Sequence, residues 1–84
     1  MNQKEQMISV VEDYLSDAGF DKFLYIIIQS DNENEIEVDF DDEEAVKYLI
    51  SDIEKTNYRE LFRISYRRQF QTKRHTAVFK ILNV

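Results

Sequence analysis

The sequence predicts a single small α+β domain, residues 1–84, with element order α-β-β-α-β-β and a four-stranded, mainly antiparallel sheet carrying both helices on one face. Three observations lead there. The chain has 84 residues, 43% of them hydrophobic and 13% aromatic, which supports one modest core. Two stretches space their apolar residues as a helical face does, and four alternate or run apolar over strand lengths. Short polar segments separate the strands two by two, the mark of hairpins.

The first helix is expected over residues 3–18. Met7, Ile8, Val11, Tyr14, Leu15 and Ala18 form its apolar face, and Asn2 with Glu5 resembles a capping box. Gly19, the only glycine, stands where a left-handed C-cap falls, with Phe20 able to supply its hydrophobic contact. Residues 20–29 read as a strand apolar on both faces. After the polar turn at 30–34, residues 35–40 alternate cleanly: Ile36, Val38 and Phe40 point one way, Glu35, Glu37 and Asp39 the other. A second helix over 42–55 buries Val46, Leu49, Ile50 and Ile53, with Asp41 as N-cap, Glu44 in the reciprocal position and Asn57 as the stop. In the strand at 61–70, Phe62, Ile64, Tyr66 and Phe70 face the core, and the pair Arg67–Arg68 predicts a bulge. Residues 71–75 form a turn, and 76–84 a mostly apolar last strand.

Charge is divided unevenly along this frame. Residues 1–55 hold sixteen acids and four bases, a formal charge of -12, whereas 56–84 hold seven bases and one acid, +6. Residues 31–44 alone contain nine carboxylates and no base. Folding needs no such segregation, so the split points to a surface meant for a partner. The net charge of -6 repels anionic membranes and, on average, nucleic acid. The absence of cysteine fits a reducing cytoplasm, the expected location. The start of the chain is acidic and amphipathic, unlike a signal peptide, and the longest apolar run has six residues where a spanning helix needs roughly 20.

Catalysis finds little support. The one histidine, His75, lies in a basic turn, no serine has a strained glycine-flanked setting, and a single glycine rules out a phosphate-cradling loop. The carboxylates on a wet hairpin face are not placed for general acid work. The expectation is a protein without enzymatic activity or cofactor. Asp31, Glu33, Glu35 and Asp39, Asp41, Glu43 share the alternate spacing of calcium loops. However, the sixth positions are Ile36 and Glu44 rather than glycine, and the twelfth after Asp31 is Asp42, so no metal site is expected.

The acidic hairpin carries the leading functional expectation. Glu35, Glu37 and Asp39 project from one strand face at roughly 6.6–6.8 Å intervals, about half the linear charge density of a DNA strand. Asp31 and Glu33 at one end and the cluster Asp41, Asp42, Glu43 and Glu44 at the other extend this band, which suits a nucleic-acid mimic. Against it stand three local explanations: first-turn acids that complement a helix dipole, a wet strand face that needs no partner, and cross-strand pairing with Arg63 and Arg67. The apolar pattern favours the first and last strands at the centre and the two charged strands at opposite edges, with no mutual cancellation. That order leaves Leu24, Ile26, Ile28, Val78 and Leu82 as an apolar strip, which predicts a homodimer or a partner protein.

Arg63, Arg67, Arg68, Lys73 and Arg74, with Tyr58, Tyr66 and Phe70 among them, form the alternative basic site for a nucleic-acid-binding module, the lesser expectation given the overall charge. A third alternative is a self-associating structural domain. No stretch carries a family motif. In size, acidity and lack of cysteine the chain is similar to phage-encoded inhibitors of host nucleases and to anti-CRISPR proteins, a likeness of composition alone. The leading expectation is therefore a small, acidic, protein-binding inhibitor that blocks the basic nucleic-acid groove of a host enzyme.

Overall fold

The computed structural model describes residues 3–28, 30–68 and 74–82. Helix α1 (Gln3–Asp17) ends as its sequence predicts. Gly19 takes φ 92°, its N–H donates to the Ser16 carbonyl at 3.0 Å, and the Phe20 N–H reaches back to Leu15 at 2.8 Å. This is the two-bond closure that a left-handed residue makes possible, and glycine enters that region without a steric cost. Phe20 then packs edge-on against Phe40, with ring centroids 5.5 Å apart.

Strand β1 (Tyr25–Ile28) is shorter than predicted. Asp21 accepts the Phe23 N–H at 3.0 Å and caps a 3₁₀ turn over Lys22–Leu24. An aspartate offers this local bond in competition with the sheet, so the first residues of the apolar run turn instead of extending. Strand β2 (Glu35–Phe40) follows as predicted and pairs antiparallel with β1, Tyr25 opposite Phe40 and Ile28 opposite Glu37. Helix α2 (Glu43–Asp52) is capped by Asp42, not Asp41: its carboxylate accepts the Glu44 N–H at 2.9 Å, while Asp41 is turned to Arg74. The helix continues as a 3₁₀ turn over Ile53–Lys55. Thr56 stops it rather than Asn57, donating its hydroxyl to the Ile53 carbonyl and capping the next turn at Tyr58.

Strands β3 (Phe62–Arg68) and β4 (His75–Ile81) pair without interruption through Arg67 opposite Thr76 and Arg68 opposite His75, so the expected bulge is absent there and His75 belongs to the strand, not to the turn. The predicted roles of Asn2, Phe70 and Lys73, the end of the first strand at 29, most of the turn at 71–75, and the last strand's end at 83–84 lie outside the described residues.

The sheet order is β1-β2-β4-β3, antiparallel throughout. This corrects the expected order. β2 is central and β1 is an edge. The crossover from β2 through α2 delivers β3 parallel to β2 but one strand away, and the return hairpin puts β4 into the gap, as a short connection favours. The pattern misleads because β1 is apolar on both faces without being buried on both.

Both helices cover one face. Val11, Tyr14 and Leu15 of α1 and Val46 and Leu49 of α2 pack on Ile36, Val38, Phe40, Phe62, Ile64, Ala77 and Phe79, all buried. At about 25 cal/mol per Å² of apolar area this shared layer is the main source of stability. Tyr14 joins the two helices through a 3.0 Å hydrogen bond to Asp52, and its ring packs on Tyr58 and Phe79. The helix-free face of the sheet is left to the alternate residues: Ile26 and Ile28 of β1, Glu35, Glu37 and Asp39 of β2, Thr76, Val78 and Lys80 of β4, and Arg63, Ser65 and Arg67 of β3.

Candidate interaction surface

The centre of the open face is sealed by charge. Arg67 stands on β3 opposite Thr76 of β4, yet its guanidinium meets Glu37 of β2 at 3.1 Å and Glu35 at 4.0 Å. Its side chain must therefore cross β4, spanning two inter-strand spacings of about 4.8 Å each. At the other end Arg74, the residue before β4, reaches the adjacent strand directly, its Nε 3.2 Å from Asp39 and an η nitrogen 3.1 Å from Asp41. Asp39 is almost fully buried and also accepts the Thr76 hydroxyl at 2.6 Å. A buried carboxylate needs such partners, because desolvation without them is costly. Beneath these chains Val78 is only 3% exposed, although no helix covers it. Cross-strand cancellation thus occurs, for Arg67 across an intervening strand and for Arg74 between neighbours.

This arrangement sorts the predicted site residues. Glu35, Glu37, Asp39 and Asp41 share two arginines. Glu33 is exposed before the start of β2. Asp42, Glu43 and Glu44 are exposed beyond its end, with Asp42 capping α2 and Glu43 3.3 Å from Lys47. The band expected to be continuous is therefore two exposed clusters at opposite ends of a six-residue strand, roughly 20 Å apart. Of the alternative basic site, Arg67 and Arg74 are committed to these carboxylates, and Arg63 and Arg68 are exposed on β3.

Between the two clusters lies an apolar row. Leu24, Ile26 and Ile28 are 54%, 56% and 38% exposed, and Phe23 beside them is almost wholly exposed. Val78 does not belong to this row, being buried under Arg67 and its partners. The start of β1 adjoins the Phe40 end of β2, close in sequence to the cluster at 41–44, and its far end leads toward Asp31 and Glu33. An apolar centre with a charged rim is the anatomy of a protein-binding patch.

On the helix side of β1, α1 leaves a shallow groove. A recess of about 230 Å³ is lined by Ile8, Ile27, Ile36, Lys4, Glu5 and Ser30. A recess of about 360 Å³ follows at Glu12, Phe20, Asp21, Phe23 and Tyr25. Lys4 closes the first end by donating to the carbonyls of Ser30 at 2.6 Å and Asn32 at 3.0 Å. Burial, and then the nearby charges of Glu12 and Asp21, hold the Tyr25 phenol above its ordinary pKa. The sequence reading missed this groove, since it is made by the shortening of β1 and the packing of α1.

Tyr66 and His75 are hydrogen-bonded to each other at the far edge of the sheet, through the phenol and Nδ1. Among the described residues no group of three or more histidine or acidic side chains is arranged to hold a metal ion, and no helix is long and apolar enough to cross a membrane. No protein-family model, curated protein or solved structure matches the chain.

Proposed function

We propose that the chain is a small, acidic, non-enzymatic inhibitor that binds a protein partner with a basic surface, of the kind that holds nucleic acid. The observation that carries this is the exposed apolar row of β1 set between two exposed carboxylate clusters. Apolar contacts supply most of the affinity of such patches, and the rim charges steer the encounter and select the partner's sign. The two clusters, rather than the strand face between them, are the part that addresses a basic groove, because Arg67 and Arg74 already neutralise the centre.

The decisive variant is Glu33→Lys combined with Glu44→Lys, one change in each cluster, both exposed. Reversing Asp39 would not serve, since it is buried against Thr76 and would test folding. A tagged chain is used to capture partners from host lysate with and without nuclease treatment. The expected result is a nuclease-resistant, nucleic-acid-binding protein whose activity the chain inhibits and which the double variant releases. Inhibition unchanged by the double variant, or partners lost on nuclease treatment, would overturn the proposal.

A further inference from the structure

We infer that β1 is a docking edge that takes an extended, basic segment of the partner as a fifth strand; this rests on the protein-binding function proposed above and specifies how the partner is held. Among the described residues β1 pairs only with β2. Every second residue of an edge strand turns its N–H and C=O outward, and those groups are a template for another chain. An added strand alternates its side chains between the two faces. On one face they would meet the exposed row Leu24, Ile26 and Ile28, and on the other the groove between α1 and β1, with Ile27 and Tyr25 along its floor.

Charge decides the occupant. The groove and its ends carry five acids, Glu5, Glu12, Asp21, Asp31 and Glu33, against two bases, Lys4 and Lys22, so its field is net negative. A second copy of the chain fits poorly. Symmetric antiparallel pairing through β1 sets the start of one copy's strand beside the end of the other's, so the region of Asp21 approaches that of Asp31 and Glu33. Like charges brought together oppose this pairing, so the edge is guarded against itself while attracting a basic strand.

The probe is a blocked seven-residue peptide alternating lysine and valine, with a glutamate–valine peptide of the same length as its counterpart. Each is titrated into the full chain, and amide shifts and hydrogen exchange are followed residue by residue. The expected result is slowed exchange confined to residues 25–28, binding at least tenfold tighter for the lysine peptide, and at least tenfold loss in Ile26→Lys. Equal binding of the two peptides, protection that leaves out residues 25–28, or sedimentation showing the chain paired with itself through β1 would each overturn the inference. The Glu33→Lys/Glu44→Lys variant leaves β1 intact. If that variant loses inhibition while β1 of the unaltered chain protects no peptide, the inhibitor function stands and the strand addition falls.

Discussion

The open side of the sheet is two different surfaces made on one plane. Over β2 and β4 it is closed by long polar side chains: Arg67 reaches across β4 and Arg74 reaches from the start of β4 to the neighbouring β2, together meeting four carboxylates, and Thr76 and Val78 on the same face are buried. Over β1 it is apolar and uncovered, with Ile26 and Ile28 more than a third exposed and Leu24 exposed in the turn just before the strand. The central charges therefore satisfy one another, and the residues left facing outward are the edge row and the carboxylates at its two ends. A sheet that spent its acids on its own arginines and left its isoleucines in water has placed its recognition chemistry at the edge.

That contrast is broken most severely at Asp39. Its carboxylate is 4% exposed and accepts both the Thr76 hydroxyl and the Arg74 guanidinium. Asp39→Ala removes the carboxylate that the buried Thr76 hydroxyl and the Arg74 Nε share, while Arg74 keeps Asp41, and costs about 2–3 kcal/mol in urea denaturation. Adding Thr76→Val to the same chain recovers part of the loss, because the buried hydroxyl that lost this acceptor goes with it. If Asp39→Ala unfolds at the wild-type midpoint, the central polar seal is not structural, and the division between the two surfaces fails.

The covered face offers a smaller test. Tyr14 donates to Asp52 at 3.0 Å, and Tyr14→Phe costs about 1 kcal/mol at neutral pH. Burial first, and then the hydrogen bond to Asp52, push this phenol's pKa well above the ordinary tyrosine range. The fold holds the neutral form, so the phenol's contribution is fully present below about pH 10, where the unfolded chain ionises, and is lost as pH rises beyond it. Stability falls above that pH, and Tyr14→Phe falls less steeply. Tyr58, held up by its bond to Asp17, and Tyr25 keep part of the slope. Parallel alkaline curves for the two proteins would place the effect elsewhere.

The α-β-β-α-β-β order, the glycine cap and the core face of each strand were legible because each depends on local chemistry: period, capping residue or turn residue. Strand order was not legible. Ile26 and Ile28 alternate with Tyr25 and Ile27 in a run that reads as doubly buried, yet one set stays in water. Nothing in a period distinguishes a strand covered twice from one waiting for its cover. The arginine seal was half legible. Opposite charges on β2 and β3 suggested pairing, but Arg67 meets Glu37 only because β4 enters between them and an arginine is long enough to cross it. The basic stretch around His75 reads as a turn, and its bond to Tyr66 depends on a hairpin register that no local signal sets.

Ile26→Lys sharpens the comparison from the other side and has the smallest expected effect on the fold. Its side chain is more than half exposed on the open face and stands opposite Asp39 on β2. The substitution removes little buried area, keeps an edge strand's tolerance for lysine, and brings a cation toward a carboxylate. Its effect on stability stays within about 0.5 kcal/mol, as for most surface changes. Binding should respond very differently, because the same change puts a charge in the middle of the apolar row and opposes a basic partner. Denaturation and partner capture measured on one preparation separate the two quantities. A variant that folds as well as the wild type but no longer holds its partner places recognition on β1. A variant that loses stability instead would mean that the row is part of the core, covered in a way that its exposure does not reveal.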